Sequence, residues 1–430
     1  MPVLVYNSMT TCTNHLQFIR RASKRFGATD ALIAAPEDTR SDVSIFQLGD
    51  RKVPELDTSR VVLPDSHECL ALFSRYFEFA MATYRFLHQP TVQTWLESYQ
   101  TDEKLTTTTL STTRRAIILL VLATASLYNV DSSHDVIPQK PGEESFMAGE
   151  QFFQAAQKLM QGETGPARLE SVQARILTSL YLLNTSRLHQ AWYSFGTATQ
   201  LIVALGIHRS GEIRSAQPDL VVAECRKRSF WTAYTLDTYF SVMLGRPPYI
   251  QEAFADQDYP QLLNDKDLSS NQIVKRTKNI DCAITASILH AKVAAIVRQA
   301  SKEQYLLHRT SEDQQLRTAA RLNAEIAQWQ NELPVFLSGA IQPESLIPMF
   351  RRQLTVLRIA CAHAIMLINR PLMLSRHTLT TEIQPHVEEC LSATKTALDV
   401  VLDLATSSRI FSAFWNIQVR RSHWSAFSKC

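Results

Sequence analysis

Between residues 169 and 248 the chain reads Leu169, Val172, Ile176, Leu180, Leu183; then Asn184-Thr185-Ser186; then Leu188, Trp192, Phe195, Ile202, Leu205, Gly206. The apolar residues return every three or four positions, the spacing that lines one face of an α-helix. The polar tripeptide separates two such faces, and Gly206 stands where a helix end needs a left-handed residue. A third periodic stretch runs from about Pro218, a favoured first helical residue, through Phe230, Trp231 and Tyr234 to Leu244. It is cut off by Gly245-Arg246-Pro247-Pro248, a cap glycine followed by two helix-incompatible prolines. Three consecutive helices with this punctuation set the fold class as all-α.

The same pattern extends outward. Leu70, Phe73, Phe77 and Ala80 predict a helix from Cys69 that stops near Pro90; Thr107–Tyr128 predicts another, capped by Thr107-Thr108-Thr109. Within it, the apolar run Ala116–Leu127 is too short for the roughly 20 residues that cross a bilayer and reads as a buried helix, so no membrane partner is expected. Phe152, Ala155, Ala156 and Leu159 mark a helix ending before Gly162. Further helices are expected at Ile280–Gln299, Gln315–Leu333 (stopping at Pro334), Met349–Asn369 (stopping at Pro371) and Val387–Leu404. The last would bury Val387, Leu391, Leu398, Val401 and Leu402. Residues 1–66 lack such periodicity and read as an irregular N-terminal segment; 67–405 form the multi-helix domain and 406–430 a C-terminal tail.

Composition excludes several classes. Of 430 residues 45% are hydrophobic and 20% charged, and only 11 are glycine, which argues against Gly-rich phosphate loops. The net charge of +3 supplies no field that would drive nucleic-acid binding by itself. No two of the seven cysteines are closer than 29 residues, so neither a C-x-x-C pair nor a zinc-finger spacing exists. A disulfide framework is not expected either, and the compartment is read as reducing.

Enzyme signatures fail: there is no G-x-S-x-G elbow, no Walker-type loop and no H-E-x-x-H. The acidic groups Asp256-Gln257-Asp258 and Asn264-Asp265-Lys266-Asp267 lack the second acidic motif that a metal–diphosphate site needs. His363 shares a face with Ala360, Met366 and Leu367 and reads as a core histidine rather than a base. His386-Val387-Glu388 has no C-x-x-C to complete a deaminase site, and Asn184-Thr185-Ser186 reads as a chance glycosylation tripeptide. No catalytic residue, cofactor or metal is expected. The run Arg20, Arg21, Lys24, Arg25 reads either as a nuclear-import or phosphate-contacting patch or as a solvated helix end.

One constellation points to a family. Phe230-Trp231-Thr232-Ala233-Tyr234-Thr235-Leu236-Asp237, then Leu244-Gly245-Arg246-Pro247-Pro248, resembles the signature of the fungal-specific transcription factor domain, the middle homology region of regulators that carry a binuclear zinc cluster. Upstream, Ser171-Val172-Gln173-Ala174, Ala191-Trp192, Gly196 and Ala204-Leu205-Gly206-Ile207-His208-Arg209 fit the family's preceding helices. Tyr84–Pro90 resembles its early element, with Gln89 in place of a basic residue. Trp329–Pro334 and Leu367–Leu372 resemble two later ones.

The resemblance implies an all-α regulatory domain over roughly 68–405, working in the nucleus, with other regulators as partners and a small molecule as an effector. On the residues themselves, Phe230, Trp231 and Tyr234 read as core aromatics. Asp237 and Arg246 read either as a charge pair bracing the helix end or as two separate solvated charges. Trp192, Gly206, Arg209, Gly245, Pro247 and Pro248 read as scaffold. Only Cys12 precedes residue 69, so the family's zinc cluster is not encoded here, and DNA is expected to be reached only indirectly, through a partner or a module missing from this chain. The alternative is a protein that does not bind DNA and instead heterodimerises with or titrates a zinc-cluster activator.

Overall fold

Every buried N–H and C=O must find a partner, and this chain does so almost entirely within helices. The structure is a computed structural model and describes residues 44–47, 50–58, 61–105, 108–128, 143–211, 219–274, 281–305, 311–373 and 381–406. Helix α1 (Ser66–Arg75) continues into a π-helical turn, Tyr76–Ala80. Then come α2 (Gln89–Leu105), α3 (Thr112–Ser126), α4 (Glu143–Gln161), α5 (Leu169–Asn184), α6 (Leu188–Ala204) and α7 (Leu220–Leu244). The C-terminal part adds α8 (Thr285–Gln304), α9 (Glu312–Asn331), the single turn α10 (Val335–Ser338), α11 (Pro348–Met373) and α12 (Gln384–Thr406). Among the described residues no strand forms; one isolated bridge joins Leu268 and Ile273. The fold is all-α. The basic run at Arg20, Arg21, Lys24 and Arg25 and the tail beyond Thr406 lie outside the described residues.

Two cores share α7. The first gathers α1–α7 around Phe86, Tyr181, Phe195, Phe230, Tyr239 and Phe240. Its centre is α3, where Ala116–Ala125 is shielded on every side, so the apolar run is indeed a core helix. The second packs α8, α9, α10 and α11 around Leu289, Val293, Leu322, Trp329, Leu357 and Ile368, and Val242 of α7 reaches into it. Each fully buried Leu or Phe contributes about 1.5–3 kcal/mol, which explains why α7, apolar on several sides, joins the halves. Helix α11 is long and apolar enough to cross a bilayer by length and composition, but most of that stretch is buried inside the bundle.

Several boundaries differ from expectation, each for a local reason. Pro90 opens α2 rather than ending α1, because its missing N–H falls in the first turn, where no intrahelical acceptor exists. Helix α3 is capped by Ser111, whose Oγ accepts from the Arg114 N–H. Thr109, expected as part of that cap, instead donates its N–H and Oγ–H to Asp102. Helix α7 begins at Leu220 with Asp219 as its cap, and Pro218 lies outside the described residues.

Pro371 sits inside α11. A proline there deprives the Leu367 carbonyl of its helical donor, and the Tyr305 hydroxyl replaces it at 2.7 Å. Leu70, Leu391 and Leu402 are exposed rather than buried. Helix α12 meets its neighbours through Cys390, Ala393, Ala397 and Val400, a stripe turned away from Leu391 and Leu402.

Candidate functional site: a belt across α7

The residues singled out in the sequence converge on one structure, a belt at 246–268 laid across α7, irregular apart from two single 3-10 turns at Glu252–Phe254 and Asp265–Asp267. It starts from Gly245, whose φ of +63° is the left-handed cap of α7. Arg246 then folds back: its N–H donates to the Ser241 carbonyl, and the Ser241 hydroxyl donates to the Arg246 carbonyl at 2.6 Å. The guanidinium lies over the Trp192 ring at 4.0 Å, a cation–π contact. Trp192 also stacks on Tyr249, and Tyr249 reaches that position because Gly196 leaves room: a Cβ there would come within 3.2 Å of the Tyr249 hydroxyl.

Asp237 does not pair with Arg246, nor is it solvated. Its Oδ1 accepts the Tyr249 N–H and its Oδ2 the Ile250 N–H, each at 2.9 Å. Its charge partner is Arg298 of α8, at 2.9 Å. Arg298 further donates to Thr238 Oγ1, to the Ile250 carbonyl and to the Tyr234 carbonyl, and its plane covers the Tyr234 ring at 4.1 Å. Both side chains are buried, so this is a desolvated ion pair whose lone pairs and protons are taken up by belt and helix. Arg246 is already held by Trp192 and by its own turn, which is the physical reason the local pairing fails.

The rest of the belt repeats the device. The Tyr234 hydroxyl donates to Glu252. Gln257 donates to the carbonyls of Ile207 and Arg209, just past the left-handed Gly206 (φ +63°), while Arg209 forms an exposed ion pair with Asp256. Trp231 is half-buried rather than core: its indole N–H donates to the Asp258 carbonyl at 2.8 Å and its ring stacks on Tyr259 at 4.0 Å. Glu224 accepts the Gln261 N–H.

Asp265 closes the belt. It accepts Arg228 at 2.5 Å and the Gln89 N–H at 2.9 Å, while His88 contacts the Asp265 carbonyl. Burial would raise the Asp265 carboxyl, but Arg228, the Gln89 N–H and Arg85 together hold it below the ordinary range. Thus the early element around Pro90, the Gly206 turn and the α7 signature, far apart in sequence, meet along a single strip of backbone. Pro247 and Pro248 set its exit, and Phe230 lies beneath it in the first core.

Nothing in this arrangement presents a free nucleophile or an open metal shell. The acidic pairs 256/258 and 265/267 are engaged with Arg209, Lys227 and Arg228, and no group of three His, Cys, Asp or Glu side chains is set to hold a metal among the described residues. His363 is buried beside Tyr239, as a core histidine should be. Burial pushes the Cys225 and Cys390 thiols up to about 12, away from reactivity. An open groove of about 440 Å³ lies elsewhere, between α9, α10, α11 and α12, floored by Trp329, Leu337, Leu357 and Cys361 and edged by Arg358 and Glu389.

Comparison with known proteins agrees with the geometry. The model of the fungal specific transcription factor domain matches residues 73–331, more than half of the chain and the whole of the belt. The chain belongs to this family. Activator of stress genes 1 of Saccharomyces cerevisiae is 25% identical over 366 residues, 83% of this chain and 37% of that protein. The thiamine repressible genes regulatory protein of Schizosaccharomyces pombe is 25% identical over 308 residues, 70% of this chain and 37% of its own. An ABC-transporter-regulating transcription factor of Aspergillus oryzae is 25% identical over 285 residues, 64% and 29%. The chain therefore spans roughly a third of the length of these relatives. No solved structure matches it.

Sequence reasoning missed Arg298, Glu224, Asp265 and the belt itself. Arg298 carried a usable signal: it lies four and eight residues from Ala294 and His290, on a face otherwise buried, where an arginine must find a partner. The belt carried none, because its backbone bonds are made to side chains distant in sequence.

Proposed function

We propose that the chain is a transcription regulator of the nucleus, acting through this helical domain on the activity of a DNA-bound assembly. The observation that carries the reading is the family match across 73–331, joined to relatives that are named as transcription regulators. DNA is reached through a partner regulator or a zinc-cluster module not encoded in these residues, since only Cys12 precedes Cys69. On this reading the residues of this chain bind no zinc and carry out no catalysis. Its finer role is control of a metabolic or secondary-metabolite gene set. A small-molecule effector would find room in the α9–α12 groove, whose volume is that of a ligand pocket.

The test is to fuse the full chain to a heterologous DNA-binding module and read a reporter carrying that module's site in a fungal host. A change in reporter output, lost in the Arg298→Met variant, is the expected result. An unchanged reporter, together with an unchanged transcriptome on deletion and overexpression in the host, overturns the reading. Elemental analysis of the purified chain checks the absence of zinc; stoichiometric zinc would contradict it.

A second reading is titration of a related activator. It predicts that the chain co-purifies with a full-length zinc-cluster regulator of its host and lowers that regulator's output.

A further inference from the structure

Upstream of α1, residues 50–58 form a strap across α4 and α6, and its contacts make a closed ring. The α6 N-terminus has no side-chain cap of its own, as Arg187 occupies that position. Asp50 supplies the cap from the strap: its two oxygens accept the His189 and Gln190 N–H groups at 2.9 and 2.8 Å. The Arg51 N–H donates to the Ser186 carbonyl, and the Arg51 guanidinium lies 4.3 Å from the centre of the Phe146 ring. Further along, Gln154 of α4 reads the strap backbone in both directions, accepting the Leu56 N–H at 2.8 Å and donating to the Pro54 carbonyl at 2.9 Å.

Gln154 is aimed by Glu150, and Glu150 is held through both oxygens by Arg187, the residue that opens α6. The ring thus runs from Asp50 to the head of α6, through Arg187, Glu150 and Gln154, and back to the strap at 54–56. Groups linked this way hold or release together rather than one by one.

Among residues 50–58 no apolar side chain is deeply buried: Val53 and Leu56 are half-buried, Lys52 is exposed, and Arg51 is exposed around its one ring contact. Just upstream, Ile45 is 76% and Phe46 51% exposed, with Phe46 edge-on to the Tyr193 ring. The strap's bonds therefore compete with water and with the entropy of nine ordered residues, the circumstances under which a segment opens well below global unfolding.

We propose that residues 50–58 are an intramolecular latch, bound to the α4–α6 face as a peptide is bound to a receptor and released as one unit. Docked, it fixes the first turn of α6, one turn before Trp192 and its Arg246 contact. The latch stands or falls independently of the proposed function.

Amide hydrogen exchange on the full chain tests it. In the wild type, the His189 and Gln190 amides exchange at least a hundredfold faster than amides in the middle of α5, yet at least tenfold slower than in the Gln154→Ala variant. That variant removes no group bonded to either amide. Trypsin cleavage after Lys52 accelerates by a similar factor. Adding a synthetic peptide of residues 50–58 to the Asp50→Ala chain restores protection of the two amides, while the same peptide with alanine at position 50 does not.

Equal exchange of these amides and of α5 would make the strap a permanent element and overturn the latch. Unchanged protection in Gln154→Ala, or failure of the native peptide to restore it, would do the same. Protection that rises with protein concentration would assign the occupant to a second copy, which also contradicts it.

Discussion

Two lengths of chain without an α-helix lie across the same bundle, the belt at 246–268 and the strap at 50–58, and opposite means secure them. The belt is fixed by charges out of water: Asp237 with Arg298, and Asp265 with Arg228. The strap is fixed by hydrogen bonds at or near the surface, with most of its side chains in solvent. The lesson concerns what happens when one partner is lost. Truncating one half of a buried pair strands the other charge in a low-dielectric interior, whereas truncating a surface contact returns both groups to water.

The largest effect should come from the belt's central pair. Arg298→Met strands Asp237 and three further belt or helix acceptors, and should cost about 3–5 kcal/mol in urea unfolding. Adding Asp237→Asn should restore part of the loss, because the stranded charge disappears; a double variant as unstable as the sum of the singles would break the assignment of this pair.

Asp265→Asn should cost less, about 1.5–3 kcal/mol, the range for a hydrogen bond to a charged group. It also has a pH signature. The native carboxyl titrates below its ordinary value of 3.8, so its contribution is complete above that value and is lost as pH falls through the native pKa. Wild-type stability should therefore fall more steeply in acid below about pH 4 than that of Asp265→Asn, measured by urea midpoints across the range. Parallel curves would show that the carboxyl is not the group involved.

Arg246→Ala, which loses a partly exposed cation–π contact over Trp192, should cost about 1 kcal/mol. Arg209→Ala removes an ion pair with both members more than half exposed and should shift stability by no more than about 0.5 kcal/mol. A loss above 2 kcal/mol at Arg209 would erase the distinction between the buried and exposed holds.

The sequence carried the helices well, since their periodicity is local. The Gly206 and Gly245 caps and the Asn184-Thr185-Ser186 break fall where the glycine chemistry and polar run put them. Prolines misled twice for one reason: whether a proline ends a helix depends on what satisfies the carbonyl it orphans. At Pro90 no carbonyl is orphaned, and at Pro371 Tyr305 supplies the missing donor from α8's end. Asp237 and Arg246 looked like partners because nine residues separate them, while the real partner, Arg298, is 61 residues on. The belt was illegible altogether. A segment that is fixed by backbone bonds to Asp237 and Glu224 of α7, with only isolated turns of its own, leaves no period in the sequence.

Whether the family signature is a track for the belt is tested most directly by hydrogen exchange at Tyr249, Ile250 and Gln261, whose amides end on Asp237 and Glu224. If buried carboxylates hold the belt, these three amides exchange only when the whole domain unfolds, at the rate of the α7 interior. Exchange that proceeds while α7 and α8 stay protected would show a belt that opens by itself, and the role assigned here to Asp237 and Arg298 would be wrong.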